Sequence, residues 1–263
     1  MRGYASFLAA RMRVLLQYRA AALAGFGTQL FWGLIRVMIF EAFYRSSTAA
    51  QPMTMDEVRS YIWLGQAMLI LVMWGPDTDL RDMIRTGGVA YELLRPLDVY
   101  WVWFTRCLAQ RTIPLLFRAV PMFLVAGLFL GLQAPPSPGS AVAWLGATLA
   151  AILMSAAFAT LISLSLLWTI SGEGMCRILP VVCWVLSGLI VPLPLYPDWA
   201  QHVIMALPFR GLADTPFRLY IGHIPASESV PAIAHQLVWT SAMVVIGRLM
   251  LARGLRRVVV QGG

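Results

Sequence analysis

The sequence predicts an all-α membrane protein of six transmembrane helices, with an amphipathic interfacial helix before the first and further short helices in its loops. Three observations carry this fold class. Of 263 residues, 59% are hydrophobic and only 12% charged, with a mean hydropathy of +0.73, whereas a soluble domain carries charge on about a quarter of its residues. The apolar residues fall in runs near the ~20 residues that cross lipid as a helix. The basic residues cluster between those runs, mostly on one side of the implied layer.

Tyr4, Phe7, Leu8, Met12 and Leu15 open the chain at helical spacing, with Arg11, Arg13 and Arg19 among them. This pattern predicts an interfacial helix over 1–19. The same arginines interrupt any signal-peptide core, and no small-residue cleavage site follows, so an uncleaved N-terminus is expected. The first span is expected from about Ala20 to Phe43, with Arg36 and Glu41 inside it, then a polar stretch from Tyr44 to Arg59. The second runs from Ser60 to Gly75 and stops at Pro76. Charged residues dominate from Asp77 to Asp98. Tyr100, Trp101, Trp103 and Phe104 form an interfacial aromatic belt at the start of the third span, which passes Pro114 and Pro121 to about Leu132. Pro135 to Gly139 make a rigid turn before the fourth span, Ala141 to Ile170. Ser171, Gly172, Glu173 and Gly174 form a polar turn, and the fifth span, Ile178 to Leu195, contains Pro180. A half-apolar segment over 188–225 precedes the sixth, Ile233 to Leu251. No repeat or linker divides the chain, so residues 1–263 are expected to form one transmembrane domain.

Arginine placement orients the bundle. With the N-terminus inside, fifteen arginines face the cytoplasm, four (Arg45, Arg59, Arg210 and Arg218) face outward, and Arg36 lies within the membrane. This is a strong positive-inside bias and puts both termini in the cytoplasm.

Several functions are excluded. The net charge of +8 does not indicate nucleic acid, because the arginines do not line one soluble face with aromatics between them. The chain has no lysine, which removes a P-loop lysine, a Schiff base and a Ser-Lys dyad together. Cys107, Cys176 and Cys183 lack metal spacing and fall near the reducing side, so they read as packing residues. His202, His223 and His235 have no ligand spacing, and no G-x-S-x-G nucleophile is present. No catalytic residue, metal or cofactor is expected in this chain. Asp77, Asp79 and Asp82, beside Arg81 and Arg85, read as surface charges.

Two loops stand out. In the inner loop, Leu80, Met83 and Ile84 recur at helical spacing among charges, Gly87 and Gly88 break that helix, and a second apolar-faced turn leads to Arg95 and Pro96. The residues alone fit either a knob presented to a cytoplasmic partner or a loop solvated at the headgroups. In the outer segment, Trp199, Val203, Ile204, Leu207, Phe209 and Phe217 are too apolar for a free loop. A re-entrant or interfacial helical hairpin over 188–225, broken at Pro197 and Pro208, is expected over an irregular loop. Arg36 is a functional candidate by its depth, although it also fits snorkelling or a pair across a dimer. Glu41 is five positions on and does not stack with it.

The chain resembles the permease subunits of ABC-2 type exporters, also called type V ABC transporters. The resemblance rests on Arg85, Gly87 and Gly88 followed by Leu93, Leu94, Arg95, Pro96 and Leu97 after the second span. After the fifth it rests on Ser187 and Gly188, Pro192, Pro197, Asp198 and Trp199, then Leu207, Pro208 and Phe209. It covers essentially the whole chain, and the stretch from Tyr91 to Asp98 is similar to a branch of largely uncharacterised bacterial exporters. It implies a coupling helix within 77–98, a separate ABC ATPase subunit that binds ATP and Mg, and a second permease chain, identical or related. It also implies a bacterial inner-membrane setting among lipids. Coupling to the ATPase would then involve Arg81, Arg85, Gly87, Gly88, Glu92, Arg95 and Pro96, with Gly172 to Cys176 a lesser contact. Arg36 and Glu41 are candidates for the substrate path, and Gly188, Pro192, Pro197, Trp199 and Pro208 shape the outer hairpin. A membrane-embedded lipid-modifying enzyme and a non-transporting scaffold or sensor are the alternatives.

Overall fold

The computed structural model describes residues 2–15, 19–72, 77–86, 88–94, 96–168 and 173–255, and among these residues there is no strand. The helices in chain order are α1 (Arg2–Leu15), α2 (Arg19–Ser46), α3 (Met55–Ala67), α4 (Thr78–Arg85), α5 (Val89–Leu93) and α6 (Val99–Phe129). They continue with α7 (Pro138–Ser165), α8 (Glu173–Leu186), α9 (Asp198–Ala206), α10 (Asp214–Tyr220) and α11 (Ser229–Gly254).

Among the described residues, four segments are long and apolar enough to cross a bilayer: Gly25–Ser46, Val99–Phe129, Pro138–Ser165 and Ala226–Gly254. The second and fifth expected spans are shorter helices. α3 has 13 residues and α8 has 14, about 20 Å each at 1.5 Å per residue, against a ~30 Å hydrocarbon layer. α3 tightens into a 3₁₀ turn at Leu69–Leu71, and α8 stops at Ser187 and Gly188. Gly188 has φ +81°, and a Cβ there would stand 2.6 Å from the Tyr61 hydroxyl and 3.0 Å from Leu193, so both backbone and space require glycine.

α7 forms the centre of the bundle, packed by α6, α10 and α11. Its buried face is built from small residues, including Ala147, Ala151, Ser155, Ala156 and Ala159, which let neighbouring helix backbones approach closely. α3 starts with a capping box: the Glu57 N–H donates to Thr54 Oγ1 (3.3 Å) and the Thr54 N–H to Glu57 Oε2 (2.6 Å). Every residue from Ser60 to Ala67 is then buried. α2 lies on the flank, with Phe31, Trp32, Met38 and Ile39 exposed on its outer side. α1 packs against α6, and Tyr4 and Phe7 touch the core.

At the 3₁₀ end of α3, side chains from other helices donate to the last described carbonyls. Ser155 Oγ donates to Leu71 O (2.6 Å), the Trp184 indole to Val72 O (3.3 Å) and Arg111 to Ile70 O (3.4 Å). In the outer segment, Gln236 Nε2 donates to Gly211 O (2.6 Å) and Ala147 O (3.0 Å). Irregular backbone inside a membrane protein is tolerated where protein groups satisfy it in this way.

Gly33 permits the contact between α2 and α3, because a Cβ there would overlap the buried Trp63 ring, whose indole N–H is fixed on Leu130 O at 3.1 Å. Gly33→Ala is expected to lower stability by about 1–3 kcal/mol through overpacking. Gly27→Ala, where an added Cβ meets nothing within 4 Å, is expected to leave it unchanged or slightly raised. Thermal unfolding midpoints in detergent distinguish the two.

Candidate functional site

The inner loop is anchored by one carboxylate. Asp77 is the N-cap of α4, and its Oδ1 accepts from the N–H groups of Asp79 (3.0 Å) and Leu80 (3.2 Å). Such a cap satisfies donors that the first helical turn leaves free. The same carboxylate receives Arg106 of α6 through Nε (3.0 Å) and a terminal nitrogen (3.2 Å), and Gln110 Nε2 at 2.9 Å. Arg106 also reaches Asp79 at 2.7 Å, and Arg11 of α1 binds the same Asp79 oxygen at 3.1 Å. A single network therefore ties α1, α4 and α6 together.

Asp77 is 4% exposed and Arg106 6%, which corrects the expectation that Asp77 is a surface charge. No local pattern marks it, because its cation lies 29 positions along the chain. Burial by itself raises the Asp77 carboxyl. The Arg106 hydrogen bonds and charge, the Leu80 N–H and the charge of Arg11 outweigh burial and hold it below its ordinary 3.8.

Leu80 and Val89 are buried and seat α4 and α5, while Tyr91, Leu93 and Leu94 stand exposed at 76%, 50% and 81%. Of the residues expected to meet a partner, Glu92 is buried, Arg81 is partly buried and Pro96 is exposed. Gly88 is the N-cap of α5. Gly87, Arg95, the Arg85 side chain and the Ser171–Gly172 turn lie outside the described residues, as do the side chains of Cys176 and Arg177 and the tail with Arg256 and Arg257. Leu94 and Tyr91 are the most exposed of the large apolar groups described in this loop. They belong to the apolar stretch that the sequence singled out, but periodicity did not show which of its residues face outward.

The α2 candidates are separated. Arg36 donates to Leu189 O and, at 2.7 Å, to Ile190 O, so it caps the carbonyls just past α8. Glu41 is taken by Arg59 at 3.1 Å, and Arg59 also pairs with Asp56 at 2.6 Å. The cation and the carboxylate on α2 thus have different partners.

In the outer segment, Pro197 is the N-cap of α9, and Pro208 is the N-cap of a 3₁₀ turn over Phe209–Leu212. Pro192, Pro208, Ile204 and Phe217 are buried, whereas Trp199 and Val203 are 76% and 59% exposed on α9. Asp214, fully buried, accepts from the Tyr61 hydroxyl at 3.1 Å, pairs with Arg218 at 3.6 Å, and donates its N–H to Ser187 O at 3.1 Å. This joins α10 to α3 and to the end of α8. Sequence spacing offered no sign of it, since Tyr61 and Asp214 are 153 positions apart.

A family model described as "ABC-2 family transporter protein" matches residues 26–262. Comparison with curated proteins and with solved structures gives no match.

Arg106→Gln leaves the buried Asp77 without its cation and is expected to lower stability by about 3–5 kcal/mol. The folded carboxyl titrates below its unfolded value, so its contribution is complete above pH 3.8 and is lost as pH falls through the lower folded value. Unfolding midpoints measured across that window should fall in the wild type, and Asp77→Asn should lack this component of the fall.

Proposed function

Because this chain belongs to the ABC-2 family of transporter proteins, we propose that it is the permease subunit of an ATP-driven exporter. The observation that carries this reading is the match over residues 26–262 of a multi-pass apolar chain that contains no lysine and hence no P-loop of its own. ATP and Mg then belong to a separate ATPase subunit, and two permease chains, identical or related, enclose the path. In this reading α3 and α8 complete six crossings with the help of their irregular ends, both termini are cytoplasmic, and residues 188–225 form a re-entrant hairpin.

The loop over 77–98 is the docking element for the ATPase. Support comes from the exposed Tyr91, Leu93 and Leu94, which offer apolar surface to a protein cleft, and from the Asp77–Arg106 pair behind them. A displacement of α4 by the ATPase is passed to α6 through a bidentate, buried contact and to α1 through Asp79 and Arg11. Arg85, Gly87, Gly88 and Arg95 complete the element. The substrate path runs past Arg36.

Co-expression with an ABC ATPase subunit from the same genome tests the reading. The two subunits should copurify, and in vesicles the ATPase should turn over faster with the permease than without it. Leu94→Asp, Arg95→Glu and Gly87→Pro should each abolish stimulation and export while membrane insertion stays intact. Normal coupling in all three variants would remove the docking assignment, and an ATPase that never associates would remove the permease reading.

A further inference from the structure

A cavity of about 690 Å³ opens between α2, the end of α3 and the stretch after α8. Its walls are mainly apolar, with Trp32, Phe40, Leu69, Trp184 and Leu189 prominent. Trp32 and Ile39 line it while remaining 54% and 60% exposed, so its mouth lies on the outer flank of α2, the side that faces lipid when α2 spans the membrane.

Thr28, Gln29 and Arg36 of α2 line this apolar space, and the protein leaves Gln29 and Arg36 each short of a partner. Gln29 is 4% exposed, and neither its amide nitrogen nor its amide oxygen has a hydrogen-bond partner among the described residues. A buried amide without partners is costly, and a leucine at this position would avoid that cost, so the amide is accounted for by a guest. Arg36, two turns along the same face and ~10 Å away, forms no ion pair among the described residues. It holds two carbonyls, and the nearest acid on its own helix, Glu41, is occupied by Arg59. A cation without a carboxylate and an amide without partners, set in one apolar cavity, define the chemistry of an occupant.

We propose that this cavity binds an anionic amphiphile drawn from the bilayer. Its acidic headgroup pairs with Arg36, a second polar group, such as an ester or amide linkage, engages Gln29, and its hydrocarbon body lies against Trp32, Phe40 and Trp184. Calling this occupant cargo rests on the permease reading. Its binding does not, and is measured on the permease alone, so a negative result here leaves ATPase association untouched.

The test is native mass spectrometry of the full chain in neutral detergent, titrated with dioleoyl phosphatidic acid or dioleoyl phosphatidylcholine. The wild type should retain phosphatidic acid in preference to phosphatidylcholine. Arg36→Gln should weaken that binding by about tenfold and erase the preference. Gln29→Leu should also weaken it, without lowering the thermal unfolding midpoint, because the amide has no partner in the protein to lose. Equal retention of both lipids by the wild type would overturn the proposal, and so would unchanged binding in Gln29→Leu. Disulfide formation between two copies of Trp32→Cys would overturn it as well, since a second chain would then fill the cavity.

Discussion

The architecture depends on one requirement: backbone groups that leave a helix inside an apolar bundle must find donors from elsewhere in the protein. α3 ends in a tight turn whose carbonyls at Ile70, Leu71 and Val72 are met by Arg111, Ser155 and Trp184, from α6, α7 and α8 in turn. The break after α8 is met by Arg36 from α2. These few hydrogen bonds connect all five helices, and they allow two short helices to take part in a bundle otherwise made of long ones. The close contacts at Gly33 and Gly188 and along the small-residue face of α7 follow from the same arrangement, because they bring the donors within reach.

The long helices were legible in the sequence because hydrophobic length alone sets them: α2, α6, α7 and α11 stand where the apolar runs lie. The end of α3 was not legible. Leu69 to Val72 read as uninterrupted span, and what unwinds them is the availability of Ser155 and Trp184, which no local pattern records. Asp77 departs from the expected surface position for a related reason. Its sequence neighbours are charged, as on a solvated surface, while the residues that bury it, Arg106 and Gln110, arrive from another helix. Arg36 was marked as unusual by its depth alone, but its partners are main-chain oxygens and have no side-chain signature. The outer segment was legible in part: Ile204 and Phe217 are buried as their character suggested, while Trp199 and Val203 face outward from α9.

The inner loop combines a rigid base with a soft exterior. Leu80, Val89 and the Asp77 network fix α4 and α5 to the bundle, whereas Tyr91 and Leu94 carry apolar area left exposed among the described residues. In the proposed docking role such a base would pass on displacement, since the bidentate pair and the helix cap share one carboxylate. The cost is that a single residue, Asp77, serves the cap, the ion pair and the Gln110 contact, so no change there affects only one of them.

The Arg36 contact also bears on how the chain is made. Its carbonyl partners lie 153 and 154 residues downstream, so α2 is synthesised and delivered to the membrane long before they exist. Through that interval the guanidinium lacks those carbonyls, and α2 cannot make its final contact with the stretch after α8. The flank position of α2 suits such a late arrival, because a helix at the edge of a bundle can dock after the others have packed. A latch that can close only late in assembly is thus carried by the first long helix to be translated.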